Sequence, residues 1–332
     1  MTRKVLITGG LGYFGVTLAN LLKKNPEALA WGGPPEEITE IELLDIVAES
    51  PNKRELDADL TVLVDDLQSE GTIDYFAERK YDTIFHFGGV PSGGCQRRPE
   101  LGYQNVKATE TVLEIAARTE GRTRVIFASS LLAFENIDHV NGRTRPNAEK
   151  PYGKSKRLSE EAGMRYSERV DFRGLRVSTV IANRAPSTAS TAFWYTLPNN
   201  VLRGKDCVVP VSPEFMHPLV WIDDVMEGFV GLHNLPEEQL VDSRGEPYRV
   251  FNVPSQSVTA EQWVTAVQGQ ECEWIKGSVS WREDRSVLEI LGSAGKSMTA
   301  KLAQDRGIFP SQTTKADEMV KRIYAAILDE RR

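Results

Sequence analysis

Between residues 4 and 172, short runs of β-branched and apolar residues alternate with amphipathic segments of helical length. This is the pattern of a parallel sheet covered by helices on both faces. Strands are predicted at residues 4–8, 41–45, 60–65, 83–87, 124–129 and 174–178, and helices near 12–24, 69–78, 99–120 and 151–169. The fold class is therefore α/β, built on a doubly wound parallel sheet.

Past residue 184 the pattern changes to mixed short elements. An aromatic, helix-like stretch covers 191–202, a strand-like one 207–211, and a helix is expected to start at Asp223 and Asp224, acids suited to the positive end of a helix. Two closing helices are expected near 296–306 and 314–328. Residues 31–39, with Gly32, Gly33, Pro34 and Pro35, read as an irregular insertion. Residues 1–183 thus form the expected doubly wound domain, completed by a later segment near 206–252. Residues 184–332 supply most of a smaller, discontinuous C-terminal α/β lobe over the carboxyl edge of the sheet.

Composition narrows the function classes. The 332 residues are 40 % hydrophobic and 26 % charged, which excludes a disordered, fibrous or disulfide-stapled chain. Lysine and arginine total 40 against 47 acids, so no basic surplus exists for nucleic acid. Cys95, Cys207 and Cys272 are odd in number and far apart, which reads as free thiols in a reducing compartment. The four histidines lack metal-ligand spacing, so no metal is expected. No signal-peptide pattern opens the chain, and no apolar run approaches the ~20 residues of a membrane span. The expected location is cytoplasmic, away from membranes.

The chemistry begins at Gly9-Gly-Leu-Gly12-Tyr13-Phe14-Gly15, which joins the first strand to the first helix. In such a run the first glycine makes the tight turn, the second admits a pyrophosphate to the backbone, and the third lets helix and strand pack. The helix amino terminus faces the phosphates. Gly9, Gly12, Tyr13, Phe14 and Gly15 are accordingly candidate cofactor contacts in a Rossmann-type unit. Asp45 ends the second strand, where a carboxylate accepts from the adenosine ribose hydroxyls and repels a 2′-phosphate. Ile46, Val47 and Ala48 include no cation for such a phosphate, which favours NAD over NADP.

Tyr152 and Lys156 are four residues apart at the start of a predicted helix, hence on one face. A phenol titrates near pH ~10 and needs a neighbouring cation to act as a base near neutrality. Ser130, just beyond the fifth strand, can donate to an oxyanion at the carboxyl edge of the sheet, with Ser129 as the competitor for that role. Ser130, Tyr152 and Lys156 are the candidate catalytic residues.

Together these motifs resemble the extended short-chain dehydrogenase/reductases, within the NAD-dependent epimerase/dehydratase superfamily. Through that resemblance Asp66 and Leu67 are expected by the adenine, Asn105 on the nicotinamide side, and Lys156 on the nicotinamide ribose. It also implies a homodimer through the helices at 99–120 and 151–169. Gly102-Tyr103-Gln-Asn105, Gly174-Leu-Arg176, Arg184 with Pro186, and Gly307-Ile-Phe309 are similar to the D-erythronate dehydrogenase group.

The activity so implied is NAD-dependent interconversion of a secondary alcohol and a ketone, on a small-molecule substrate such as a sugar acid. Arg184 is the candidate for holding a carboxylate as a fork, and Ser92 is a second substrate candidate. A nucleotide-sugar epimerase is the alternative, and a non-catalytic dinucleotide sensor the second. Against the epimerase, His217 stands about six residues before Asp223-Asp224, where epimerases of this superfamily place an arginine. Leu131 and Leu132 stand where its dehydratases carry acids. His86 is expected to pack under the cofactor, and Phe193-Trp194-Tyr195 either line an apolar pocket or belong to the lobe core.

Overall fold

The computed structural model describes residues 3–183, 191–242, 244–310 and 312–332. Its central sheet has seven strands, β1 (Arg3–Thr8), β2 (Ile38–Asp45), β3 (Thr61–Val64), β4 (Thr83–His86), β5 (Arg124–Ser130), β6 (Asp171–Val177) and β7 (Val250–Asn252). They run parallel in the order β7-β6-β5-β4-β1-β2-β3. β4 and β6 are buried at every position, so their near-continuous apolar runs reflect cover on both faces. The second strand starts three residues earlier than its apolar run suggested, because Ile38 already pairs with Arg3.

Helices α1 (Tyr13–Lys24), α2 (Thr72–Glu78), α3 (Ser92–Arg97), α4 (Glu100–Arg118), α5 (Pro151–Arg165), α6 (Phe193–Val201), α7 (Ile222–Asn234), α8 (Ala260–Gly269), α9 (Arg285–Leu291), α10 (Lys301–Asp305) and α11 (Ala316–Arg331) complete the chain. α2, α4 and α5 cover one face of the sheet around Phe76, Val112 and Phe172, while α1 and α7 cover the other around Leu18, Phe85 and Phe229. α6, α8 and α11 pack on one another, and the buried Trp263 indole donates to the Trp194 carbonyl at 2.8 Å. Phe193 and Trp194 are core residues of this group. A second sheet joins Thr179–Ile181, Met216–Trp221 and Gln256–Thr259. The closing helix expected at 296–306 is instead the two-residue strand Ser297–Met298 followed by α10, since Ser297 and Met298 pair with His139 and Val140.

Among the described residues no helix is long and apolar enough to cross a membrane, and no group of three or more His, Cys, Asp and Glu is placed to hold a metal ion. Buried polar groups tie the layers together. His86 on β4 is hydrogen-bonded to Thr8 Oγ1 on β1 at 2.7 Å and to Thr109 Oγ1 on α4 at 3.1 Å, and Thr109 reaches Ser159 on α5 at 2.9 Å. Glu160 on α5 takes Arg176 of β6 as a two-pronged partner. Insertion residue Trp31 donates to Thr83 Oγ1 at 3.0 Å, at the amino end of the sheet and far along the strand from the carboxyl edge.

Burial holds His86 and His217 down to about 3 and pushes His233 well below the ordinary histidine value. Below pH ~6.5 the unfolded chain binds protons that these neutral imidazoles refuse, so stability is lost as pH falls, at about 1.4 kcal/mol per pH unit for each. Thermal unfolding followed from pH 8 to pH 5 should therefore show a midpoint that is level above ~7.5 and drops below ~6.5. A midpoint unchanged down to pH 5 would contradict the neutrality of the three rings.

Candidate active site

The connections from β1 and β4 leave the sheet in opposite senses, so a crevice opens at their carboxyl ends. Gly9, at φ 67°, turns the chain there, and a Cβ on it would stand 2.7 Å from the Gly88 nitrogen. A Cβ on Gly15 would stand 2.4 Å from the Gly9 carbonyl oxygen, so only glycine lets α1 start so close to the loop. No side chain caps α1 at Gly12, and Gly12, Tyr13 and Phe14 line the cavity, so the positive helix end is presented to it. This cradle fits a dinucleotide pyrophosphate.

Asp45 ends β2 beside the loop: its Oδ2 accepts the Leu11 amide at 2.9 Å and its Oδ1 the Val47 amide at 3.3 Å. The carboxylate retains lone pairs for ribose hydroxyls. Asp66 and Leu67 are half-buried just past β3, where Asp66 Oδ1 accepts the Gln68 amide at 2.9 Å. Asn105 Oδ1 accepts the Val90 amide at 2.7 Å and its Nδ2 donates to the Val90 carbonyl at 3.0 Å, so its amide holds the loop after β4, whose Gly89, Val90 and Pro91 line the cavity.

Adjacent positions on β5 point to opposite faces, which separates the two serines. The Ser129 hydroxyl donates to Glu160 in the interior, whereas Ser130 lines the cavity and its Oγ accepts the Leu132 amide at 3.1 Å. α5 opens with Pro151 at its first position and comes so near the turn after β5 that a Cβ on Gly153 would stand 2.0 Å from the Leu132 carbonyl oxygen. That approach brings the Tyr152 side chain beside Ser130, which favours the phenolate. Lys156, one turn on, has its Nζ 5.7 Å from the Tyr152 ring centroid and donates to the Ala128 carbonyl at 2.8 Å. Ser130, Tyr152 and Lys156 therefore share one wall of a cavity of about 380 Å³.

Burial pushes Tyr152 up to about 12, with the Ser130 hydrogen bond opposing it, and pulls Lys156 down to about 8. In the free protein desolvation thus outweighs the help that Ser130 gives the phenolate.

Ser92 is buried at the start of α3 and lines the same cavity, while Arg184 lies outside the described residues. Thr179, Tyr195, His217 and Leu291 complete the end of the cavity away from the glycine loop. From the sequence His217 reads only as a poor diphosphate partner and Thr179 and Leu291 carry no assignment, whereas Tyr195 belongs to the aromatic stretch read as pocket lining or core, and of that stretch it alone is among the lining residues. Thr179 was open to detection, standing two residues past the strand-end position beside Ser130, but Leu291 carried no signal.

A dinucleotide cradle joined to a hydroxyl, a phenol and an ammonium defines the class as a nucleotide-dependent oxidoreductase or its epimerase kin. Residues 5–253 match the NAD dependent epimerase/dehydratase family, and the chain belongs to it. It is an NAD-dependent enzyme of the short-chain dehydrogenase/reductase type, as its relatives bear out. The chain is 30 % identical to D-erythronate dehydrogenase of Cupriavidus necator over 323 residues, 96 % of each chain. It is 28 % identical to D-erythronate dehydrogenase of Haemophilus influenzae, over 87 % of this chain and 89 % of that one. The fold is similar to that of L-threonine dehydrogenase from Clostridium difficile, at a TM-score of 0.84 and 19 % identity, over 99 % of this chain and 98 % of that one.

Asp45→Asn removes the charge beside the ribose position and keeps an acceptor for Leu11. Its affinity for NADP relative to NAD, followed by fluorescence titration, should rise roughly tenfold, the scale of one charge pair near a surface. An unchanged ratio would mean that another residue discriminates against the 2′-phosphate.

Proposed function

We propose that the enzyme interconverts a secondary alcohol and a ketone on a small sugar acid, D-erythronate being the substrate to try first. The observation that carries this reading is the meeting of Ser130, Tyr152 and Lys156 on one cavity wall. The names of the relatives that match nearly end to end support the substrate class. NAD, when bound along Gly9–Gly15 and Asp45, supplies the hydride acceptor. Residues 1–183 serve chiefly that cofactor, with Asp66 and Leu67 toward its adenine, and residues 184–332 chiefly the substrate.

Tyr152 takes the carbinol proton during oxidation and returns it during reduction. Ser130 donates to the same oxygen and holds it as it gains negative charge. In the free protein burial opposes the phenolate, so Tyr152 becomes a base only with positive charge close by, and Lys156 is the chain's own cation one turn away. Asn105 stands toward the nicotinamide side and holds Val90 and the loop before α3, from which Ser92 reaches the substrate. Arg184 follows the Thr179–Ile181 strand in sequence and is the proposed carboxylate fork. A nucleotide-sugar reading finds no help in His217, which is buried and neutral.

Tyr152→Phe should lower turnover by ~10²–10⁴-fold, the usual reach of general acid–base catalysis, while NAD binding persists. Near-normal NAD reduction by this variant would remove Tyr152 from the chemistry.

We also infer a cytoplasmic homodimer in which α4 and α5, packed on each other, pair with those of a second copy; Tyr103 stands 64 % exposed on α4. Light scattering at micromolar concentration should give twice the chain mass, and a monomer would refute the pairing.

A further inference from the structure

The end of the cavity beyond Ser130 is built from groups that hydrogen-bond without charge. Among the described lining residues the one cation is Lys156, already donating to the Ala128 carbonyl at 2.8 Å, and there is no carboxylate. Thr179 lies two residues past Val177, the register partner of Ser130. At ~3.3 Å per residue that offset is about 7 Å along the strand direction, which a chain of a few carbon atoms spans.

His217 is the unusual group there. The residue is 2 % exposed, and its ring stacks with Trp194, at 5.7 Å and 16°, and with Phe215, at 6.4 Å and 24°, which restrains its plane. Nε2 is hydrogen-bonded to Thr179 Oγ1 at 2.7 Å. Nδ1 has no hydrogen-bond partner among the described residues. It is not sealed off either, because the fully enclosed side-chain atom without a partner among those residues is Trp194 Nε1. His217 is thus a buried, oriented cavity-lining ring with one nitrogen that no described residue engages.

We propose that His217, held by Thr179, is a specificity-determining residue whose Nδ1 hydrogen-bonds an uncharged hydroxyl at the substrate end remote from the carboxylate. This rests on the sugar-acid reading above and narrows it to acids ending in a free hydroxyl, as opposed to a phosphate ester or a nucleoside diphosphate. The chemistry favours a hydroxyl over a carbonyl or an anion. If Nε2 accepts from Thr179, Nδ1 carries the hydrogen and donates; if Nε2 donates, Nδ1 accepts. A hydroxyl satisfies either tautomer, a carbonyl or carboxylate only one. Burial also holds the imidazole neutral, down to about 3, so it offers no charge to an anion. A terminal phosphate would enter a region whose described lining has no cation to spare for it.

The test compares D-erythronate with its 4-deoxy counterpart, 2,3-dihydroxybutanoate of the same configuration, by NAD reduction. In the unaltered enzyme kcat/KM should favour the hydroxyl-terminated acid by ~10–100-fold, since a site built to hold a hydroxyl rejects the analogue that lacks it. Asn places its amide nitrogen near Nδ1, and Gln places one near Nε2. His217→Asn should therefore keep most of that preference, and His217→Gln, which retains the link to Thr179, should bring the ratio toward one. NAD affinity should hold in both. A merely structural role would depress both substrates together in both variants, leaving the ratio unchanged, and would overturn the proposal. So would a preference kept by Gln and lost by Asn, or turnover of D-erythronate 4-phosphate at a rate near that of D-erythronate. If the unaltered enzyme oxidises neither acid, the sugar-acid reading itself fails and takes this inference with it. If it oxidises both equally, only the inference fails.

Discussion

Helix α5 comes within a backbone atom's width of the turn after β5 because residue 153 has no side chain, and the site exists on that condition. The same helix carries Tyr152, Lys156 and Glu160 at intervals of one turn. Glu160 is bound inside the protein by Arg176 from β6 and by the Ser129 hydroxyl from β5, so the helix is fixed in rotation as well as in distance. Removing one partner of a buried pair of this kind costs about 3–5 kcal/mol, whereas its net contribution to stability is small. Its consequence here is geometric: with Ser129 turned inward to Glu160, the next residue faces outward beside the phenol.

Desolvation dominates the electrostatics of the whole centre. It raises Tyr152 and keeps His86 and His217 uncharged, so the free protein holds the phenol and both imidazoles neutral, and it lowers Lys156 to about 8, which leaves that group an ammonium near neutrality. Charge placed in the crevice by a ligand then acts in a medium with little screening. Neutral hydroxyl and imidazole partners, from Thr8 through His86 and Thr109 to Ser159, extend the same economy of charge beneath the site.

Much of this was legible in the chain because the information was local. β1 to β6 declare themselves by apolar runs, α1 by its glycines, and α5 by Pro151 and the four-residue spacing of Tyr152 and Lys156. What stayed hidden depends on contacts between distant segments. α3 begins Ser-Gly-Gly, poor helix formers, and is held by packing. The second sheet assembles three- to six-residue strands from regions far apart in sequence, none with a clear period. The choice between Ser129 and Ser130 turns on strand parity, which only the position of α5 decides. The tie from Asn105 to Val90 was hidden for the same reason, since a side-chain amide pairs with a backbone N–H and C=O that only the fold brings beside it.

Asp45 holds one further implication. In the proposed cofactor placement the carboxylate that would read the ribose also fastens the glycine turn through Leu11, so coenzyme choice and the shape of the phosphate cradle would be governed by one side chain. A lineage drifting toward the phosphorylated coenzyme would have to replace the acid and supply a new anchor for the turn in the same stretch of evolutionary time. On that placement selectivity would be locked by architecture as well as by repulsion.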